Sequence, residues 1–409
     1  VRLRFVGDAA HLESDTWGYQ VMDRLGIPMM VGNFYRIMHL KFFVIDRRFV
    51  FVGTGNISST DMARNDNNWM LIDSPPVAAD FTAEFEQLLA GRFGGAKRPV
   101  DNGNVYQVGD TTLEVYFSPQ EDAMGRILEA VDGAQQSIEF TIFAFTKDQV
   151  GAGFVERHLV FQRYNRCCDP ATRGELTADE VASCAVDVVC ESPFVAKGVR
   201  GVVDRSQLHS NGPYHEAYRL LAFGVPIRLD GNESSAQPGD YQAGGGRQHS
   251  KTMVIDAGTP NATVLTGSFN WSAAATTAND EVLLVIRNPN IAAQYSDAFA
   301  SLWMRASDVG NDFAGPGGTI PDGGVVFNEI HWDGWNGDID PTDAGGDDVA
   351  NDEFIELLNT TDRAIDLSMW VVASDADFVM GFYPGTIIGP YERFLVVDHN
   401  VDPFQDRVP

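Results

Sequence analysis

The chain repeats itself, and this repeat narrows the folds open to it more than any other feature. The first copy reads VRLRFVGD, GYQVMDRLGIPMMVGN, MHLKFFVID, FVGTGNIS and NDNNWMLIDSP. The second reads GVRGVVDR, YHEAYRLLAFGVPIRLDGN, QHSKTMVID, VLTGSFNWS and NDEVLLVIRNP, in the same order. VRLRFVGD and VRGVVDR are short β-rich runs that end at a polar turn. From Tyr214 to Phe223 the spacing is helical, with Tyr218, Leu221 and Ala222 on one face. Gly224 ends it, as Gly26 does in the first copy. FFVID and TMVID are apolar on both faces, the pattern of central strands, and WMLI and VLLVI supply a third strand to each copy. Strands alternating with helices predict an α/β fold of two half-domains related by a pseudo-twofold axis.

The second copy has more in front of it. TLEVYFSP, EDAMGRILEAVDGAQ and SIEFTIFAFT read as strand, helix and strand, and Ile127, Leu128, Ala130 and Val131 form the apolar face of the helix. Nothing equivalent precedes Val1, so the first copy is expected to lack this opening piece. The boundaries drawn on these patterns are 1–98 and 105–306 for the two half-domains, with a cysteine-containing insertion at about 160–195 in the second. A Gly- and Pro-rich linker follows at 307–321, then a small all-β sandwich at 322–409 built from VVFNEIHW, DEFIELLN, IDLSMWVV and RFLVVD, expected to be incomplete at its C-terminal end.

An apolar content of 44% over 409 residues is ample for several cores, and no apolar run is long enough to span a bilayer. The net charge of −28 describes an acidic, solvated surface. It does not exclude a nucleic-acid substrate, because binding follows the local field at a cleft. Much of the acid sits in a Gly-rich loop with Asp338, Asp340, Asp343, Asp347, Asp348 and Asp352, read as solvated loop ahead of a calcium site. Cys167, Cys168, Cys184 and Cys190 fall in one stretch with no histidine among them. Two disulfides from the adjacent pair are therefore expected ahead of a zinc site, and they imply an oxidising compartment.

The chemistry-bearing residues recur in both copies: His39-x-Lys41 with Asp46, and His249-x-Lys251 with Asp256. Side chains two apart on a strand share a face, so each His and Lys look into one cleft. Asp46 and Asp256 look the other way and are expected to be structural, salt-bridged behind the sheet. Gly53-Thr54-Gly55-Asn56 and Gly267-Ser268-Phe269-Asn270 follow, placing Asn56 and Asn270 at turns from which an amide reaches back to the cleft. A phosphodiester can be cleaved by one imidazole as nucleophile and another as acid, with lysines and asparagines holding the charge that develops. One His-x-Lys alone reads as a core histidine. Two, with matching Asp and Asn, make one site from two half-sites, so a monomer suffices and no cofactor or metal is called for.

At these residues the chain resembles the phospholipase D superfamily, whose signature is a doubled His-x-Lys-x4-Asp followed by Gly-Ser-x-Asn. HSKTMVID with TGSFNWSAAATTANDEVLLVIRNP is especially similar to its bacterial nuclease branch. The resemblance implies attack by one histidine, a phosphohistidine intermediate, protonation by the other histidine, and a Glu281 that orients His249. There are departures. Position 40 is Leu where the family often has Asn, Thr54 stands for Ser268, and Gly258 to Asn261 lengthen the second hairpin. Asn68 is read as the counterpart of Glu281, which leaves His39 without a carboxylate and points to His249 as nucleophile and His39 as acid unless Asp66 reaches His39.

The C-terminal part resembles a lamin-tail domain, which implies a binding or tethering role. Its Trp332, Trp335 and Trp370 read as core or rim packing ahead of ligand contacts. The expected function is a secreted nuclease acting on nucleic acid, with Arg36, Arg47, Arg48, Arg205 and Arg247 as candidate phosphate contacts. The alternatives are a phospholipase D acting on phosphatidylcholine or cardiolipin, and a non-catalytic surface-binding protein.

Overall fold

The computed structural model describes residues 2–397 apart from 13–15, 101–102, 170–172, 175, 178–180, 182–183, 185–189, 191–196, 212–213, 232–245, 309–324, 332–353, 368–369, 374–378 and 383–385. The acidic Gly-rich loop, Trp332, Trp335 and most of the expected linker lie outside the described residues. Two compact units are present, Val1–Val309 with Val371–Met380, and Gly310–Trp370 with Gly381–Pro409.

In the first copy, strands β1 (Phe5–Asp8) and β2 (Met29–Gly32) pair in parallel around helix α1 (Thr16–Arg24). Strands β3 (Phe42–Ile45), β4 (Phe49–Gly53) and β5 (Trp69–Asp73) form an antiparallel sheet, with the short helix α2 (Ser59–Ala63) between β4 and β5. Helix α3 (Pro75–Leu89) follows. It starts where Ser74 caps the Val77 amide and Pro75 and Pro76 occupy the first turn, where the missing N–H groups cost nothing.

The second copy is built on a nine-stranded mixed sheet. Its elements are β6 (Val105–Val108), β7 (Thr111–Ser118), α4 (Ala123–Asp132), β8 (Ser137–Ile142), α5 (Asp148–Cys168), β9 (Gly198–Val203), α6 (Arg205–Asn211), α7 (Ala217–Ala222), β10 (Ile227–Leu229), β11 (Lys251–Ile255), β12 (Thr263–Gly267), α8 (Ala273–Thr277), β13 (Glu281–Arg287), α9 (Pro289–Arg305) and β14 (Ser307–Asp308). The strand order is β14-β10-β9-β8-β11-β12-β13-β7-β6. β11 is central, as its apolar pattern predicts. Its counterpart β3 is not: among the described residues it pairs only with β4. Helix α7 is shorter than its periodicity implied. It buries Ala217, Tyr218 and Leu220, while Ala222 is exposed, because Gly224 at φ +75° turns the chain.

The two copies share one core. Val50, Val52, Ile72, Val77 and Phe81 from the first pack in the same cluster as Val115, Phe117, Val264, Val282 and Leu284 from the second. Phe81 is fully buried at the seam, its ring edge-on to Phe42 at 5.0 Å and to Phe117 at 5.1 Å. Truncating it removes aromatic contacts to both copies at once. Phe81→Ala is therefore expected to cost about 3–5 kcal/mol, measured as a lower denaturant midpoint, and an unchanged midpoint would argue against a shared core. The other face of the first sheet is open. Phe43, Ile45 and Leu71 are 39%, 46% and 62% exposed, whereas by register their equivalents Met253, Ile255 and Val285 are buried in the sheet that carries α4 and α5.

Cysteine usage is resolved at the end of α5. Cys167 bonds Cys184 and Cys168 bonds Cys190, which removes the zinc alternative for these thiols. In the second unit, β15 (Val325–His331), β16 (Phe354–Asn359) and β21 (Arg393–Val397) form an antiparallel sheet, and β17 (Ile365–Asp366) pairs with β20 (Ile387–Ile388). Two further short strands, β18 (Val371–Ala373) and β19 (Val379–Gly381), pair with each other and fall, but for Gly381, in the first unit.

Candidate active site

Each His-x-Lys segment leads into its strand and is clamped by the other copy. The His39 amide donates to the Asp280 carbonyl at 2.9 Å and the Asp280 amide to the Ile37 carbonyl at 3.0 Å. The second half mirrors this. The His249 amide donates to the Asp66 carbonyl at 3.0 Å and the Asp66 amide to the Arg247 carbonyl at 2.9 Å. These reciprocal bridges bring the two half-sites together. Buried braces hold them. Asp280 accepts from Asn33 Nδ2 and the Gly94 amide, both at 2.8 Å, and pairs with Lys97 at 3.0 Å. On the other side, the Gln248 amide is held by Asp230 at 2.8 Å and Asp204 at 3.1 Å.

The acid partners are crossed between copies. His39 Nδ1 lies 2.7 Å from Glu281 Oε2, so Glu281 serves His39 and not His249 as the resemblance implied. His249 Nδ1 meets Asp61 Oδ1 and Asn67 Oδ1, each at 3.1 Å. Asp66 does not reach His39; its carboxylate pairs with Arg305 at 3.3 Å. Pairing register corrects the alignment as well. Gly53 faces Trp69 and Gly267 faces Leu283, so Asn67, and not Asn68, is the counterpart of Glu281. Thr54 Oγ1 donates to Asn67 Oδ1 at 2.8 Å as Ser268 Oγ donates to Glu281 Oε2 at 2.6 Å. Asn68 points to the opposite face of the strand, bonded to Thr252, Thr266 and Tyr295.

Lys41 and Lys251 are buried, and each ammonium donates to the backbone carbonyl of its own motif histidine. Lys251 also sits 5.1 Å over the Phe143 ring, which in turn packs edge-on to His249. Burial pushes Lys41 down to about 8, with Glu281 and Asp61 opposing. Burial and the Lys41 charge hold Lys251 well below the ordinary lysine value. Burial also lowers His39, against the pull of Glu281, and takes His249 to about 3, aided by Lys251 and opposed by Asp61. For Glu281 burial acts upward, but His39, Lys41 and Ser268 outweigh it and hold the carboxyl below its usual value. Burial thus favours the neutral form of both rings, and a phosphodiester anion beside them would favour the protonated form. Side-chain exposure is 14% at His39 and 8% at His249, so both rings are largely shielded from solvent.

The remaining expected residues divide. Asn56 Nδ2 donates to Asp61 Oδ2 at 2.8 Å, and Asn270 Oδ1 accepts from the Ala144 amide at 3.3 Å. Asp256 has no salt bridge among the described residues. At φ +52° it accepts from the amides of Gln135, Gln136 and Ser137, and so pins the start of β8. Asp46 is exposed at φ +53° in the matching turn. Arg47 and Arg48 lie in that same turn, at the end of the hairpin away from His39, and Arg48 is paired with Asp73 at 2.6 Å. Arg205 is buried, with its guanidinium on Ser307 at 2.7 Å. None of these three is placed as a phosphate contact. Asp61 was missed by sequence reasoning. Its signal was a carboxylate standing in NISSTDMA where the second copy has the alanines of NWSAAATT.

The duplicated α/β unit crosses two histidine–acid contacts beside two buried lysines. The chain is similar to the phospholipase D superfamily. The family model described as cardiolipin synthase, PLD-like domain, matches residues 10–89 and 184–303, and members of the superfamily are phosphodiester hydrolases. Mitochondrial cardiolipin hydrolase of Chlamydomonas reinhardtii is 29% identical over 128 residues, which cover 31% of this chain and 48% of that protein. The chain thus spans about half the length of this curated relative. Among solved structures, a phospholipase D family member, Nuc from Salmonella typhimurium, is 25% identical over 49% of this chain and 98% of its own, with a TM-score of 0.31. NucT from Helicobacter pylori is 17% identical over 49% of this chain and 99% of its own, with a TM-score of 0.33. No helix among the described residues is long and apolar enough to cross a membrane.

Proposed function

We propose that the protein hydrolyses phosphodiesters through a phosphohistidine, with His39 as nucleophile and His249 as acid. The carrying observation is the 2.7 Å contact between His39 Nδ1 and the fully buried Glu281. It leaves Nε2 to attack phosphorus and places a negative charge beside the imidazolium that attack creates. This reverses the assignment drawn from sequence, which rested on Glu281 facing His249. In the first step the His39 Nε2–P bond forms, the P–O bond to the leaving group breaks, and His249 supplies the proton to that oxygen. In the second, His249 takes a proton from water, the water oxygen bonds to phosphorus, and His39 is released. Lys41 and Lys251 stabilise the charge on the phosphoryl oxygens in both steps.

Because Lys41 is pushed down to about 8, its positive charge is lost as pH rises through that value. The rate is expected to fall on an alkaline limb near pH 8, read from a pH profile of kcat. A profile flat to pH 10 would remove Lys41 as a charged group in the reaction.

A phospholipid head-group diester is the substrate class we favour. Phe34, Tyr35 and Ile37, just before His39, are 73%, 94% and 44% exposed, and Ile57 and Met62, beside Asn56 and Asp61, are 60% and 55% exposed. Exposed apolar side chains on the segments that carry the site suit acyl chains better than a polyanion. Nuclease action, the first reading of the sequence, retains one specific support, the exposed Arg36 in the same segment. Head-group release from phosphatidylcholine and cardiolipin vesicles, run beside a plasmid-nicking assay, tests both. Nicking without head-group release would overturn the lipid reading, and inactivity in both would favour a binding protein. The two disulfides support an oxidising, extracytoplasmic setting. The sheet of β15, β16 and β21 supports reading residues 322–409 as a lamin-tail module that tethers the enzyme.

A further inference from the structure

We propose that Asp61 is the positioning acid of His249, a carboxylate relocated from the strand position that Glu281 occupies in the other half to the helix before it. This rests on the two-histidine reading of the site. By register the place of Glu281 is taken by Asn67, which is neutral. By the caps, Ser58 accepts from the Asp61 amide as Ser272 accepts from the Ala275 amide, so Asp61 stands where the other half has a buried alanine. The missing charge on the strand and the additional charge on the helix converge on one atom, His249 Nδ1, at 3.1 Å from each side chain. Asn67 binds the two together, since its Nδ2 donates to Asp61 Oδ1 at 2.9 Å while its Oδ1 faces the imidazole.

A helix-capping role accounts for Oδ2, which takes Ser58 Oγ at 3.1 Å and Asn56 Nδ2 at 2.8 Å. It does not account for Oδ1, which faces His249, Asn65 and Asn67. The relocation has a chemical consequence. Asp61 shares its charge with four side-chain donors besides the imidazole, whereas Glu281 shares its own with Ser268 and Asn279 besides His39. The more heavily solvated carboxylate holds an imidazolium less tightly, so the His249 side releases its proton more readily. The two halves of a duplicated site thereby take different roles.

The test uses the full chain and three variants, Asp61→Asn, Asp61→Asn with Asn67→Glu, and Ser58→Ala, with kcat, KM and the NMR titration of the His249 ring as readouts. Asp61→Asn is expected to lower kcat by about 10²-fold with KM little changed and to lower the His249 pKa. The double variant, which restores a carboxylate at the strand position, is expected to recover both, and Ser58→Ala, which removes the cap and one donor to Oδ2 but leaves Oδ1 on the imidazole, to stay within about threefold of the parent. Ser58→Ala matching Asp61→Asn would overturn the proposal, as would a folded double variant without recovery. A His249 ring that titrates alike in parent and Asp61→Asn would do the same. The ring titration needs no substrate. A protein inactive on every phosphodiester yet shifted in that titration would sink the hydrolase reading and leave the Asp61 pairing intact.

Discussion

Replacing His39 with asparagine is expected to lower kcat by about 10⁴-fold or more in a protein that remains folded. The backbone bond from position 39 to the Asp280 carbonyl does not depend on the ring, and an asparagine amide can still donate to Glu281. Loss of activity then reports the nucleophile and not the fold. The companion variant, His249→Asn, separates the two roles. With a p-nitrophenyl phosphodiester the leaving group needs no acid, so His39 still attacks, but no base activates water to clear the adduct. Intact-mass measurement after rapid quench is expected to show a phosphoryl adduct on His249→Asn and none on His39→Asn. The opposite pattern would return the nucleophile to His249.

Glu281→Gln carries the second large effect, a fall in kcat of about 10³–10⁴-fold. Glu281 holds His39 directly and is an opposing charge for both Lys41 and Lys251. Glutamine keeps the volume and can still accept a bond from Ser268, so the pocket stays shaped. What is lost is the negative charge that favours an imidazolium on His39 and an ammonium on Lys41. With that support gone, Lys41 loses its proton at lower pH, and the alkaline limb expected near 8 moves to the acid side. A Glu281→Gln enzyme with a normal rate and an unmoved limb would mean that Glu281 does not act on the reaction.

Much of the site was legible because a duplication prints its own alignment. His39, Lys41, His249 and Lys251 recur at matched spacing, and alternation along a strand puts each His and Lys on one face. Asn67 and Asp61 show the limit. A one-residue slip in matching NDNNW to NDEVL made Asn68 the partner of Glu281, whereas the shared Asn-Asp of the two blocks, and the pairing of Gly53 with Trp69 and Gly267 with Leu283, put Asn67 there. A slip of one residue sends a side chain to the other face of a sheet, which is where Asn68 lies. Asp256 was misjudged for a related reason. Alternation said that it turns from the cleft, but not that the backbone amides of Gln135, Gln136 and Ser137, leading into β8, wait there in place of a cation.

The amino-acid order by itself determined that two α/β halves exist, that each brings one imidazole and one ammonium, and that four clustered cysteines can pair. These follow from periodicity and spacing, which are local properties of a chain. The tertiary structure alone decided that the acids cross between halves, that Glu281 belongs to His39, and that a helix supplies Asp61 to His249. Those pairings join residues 242 and 188 positions apart, and no local pattern states which distant carboxylate will lie within about 3 Å of a ring once two sheets have packed on one core.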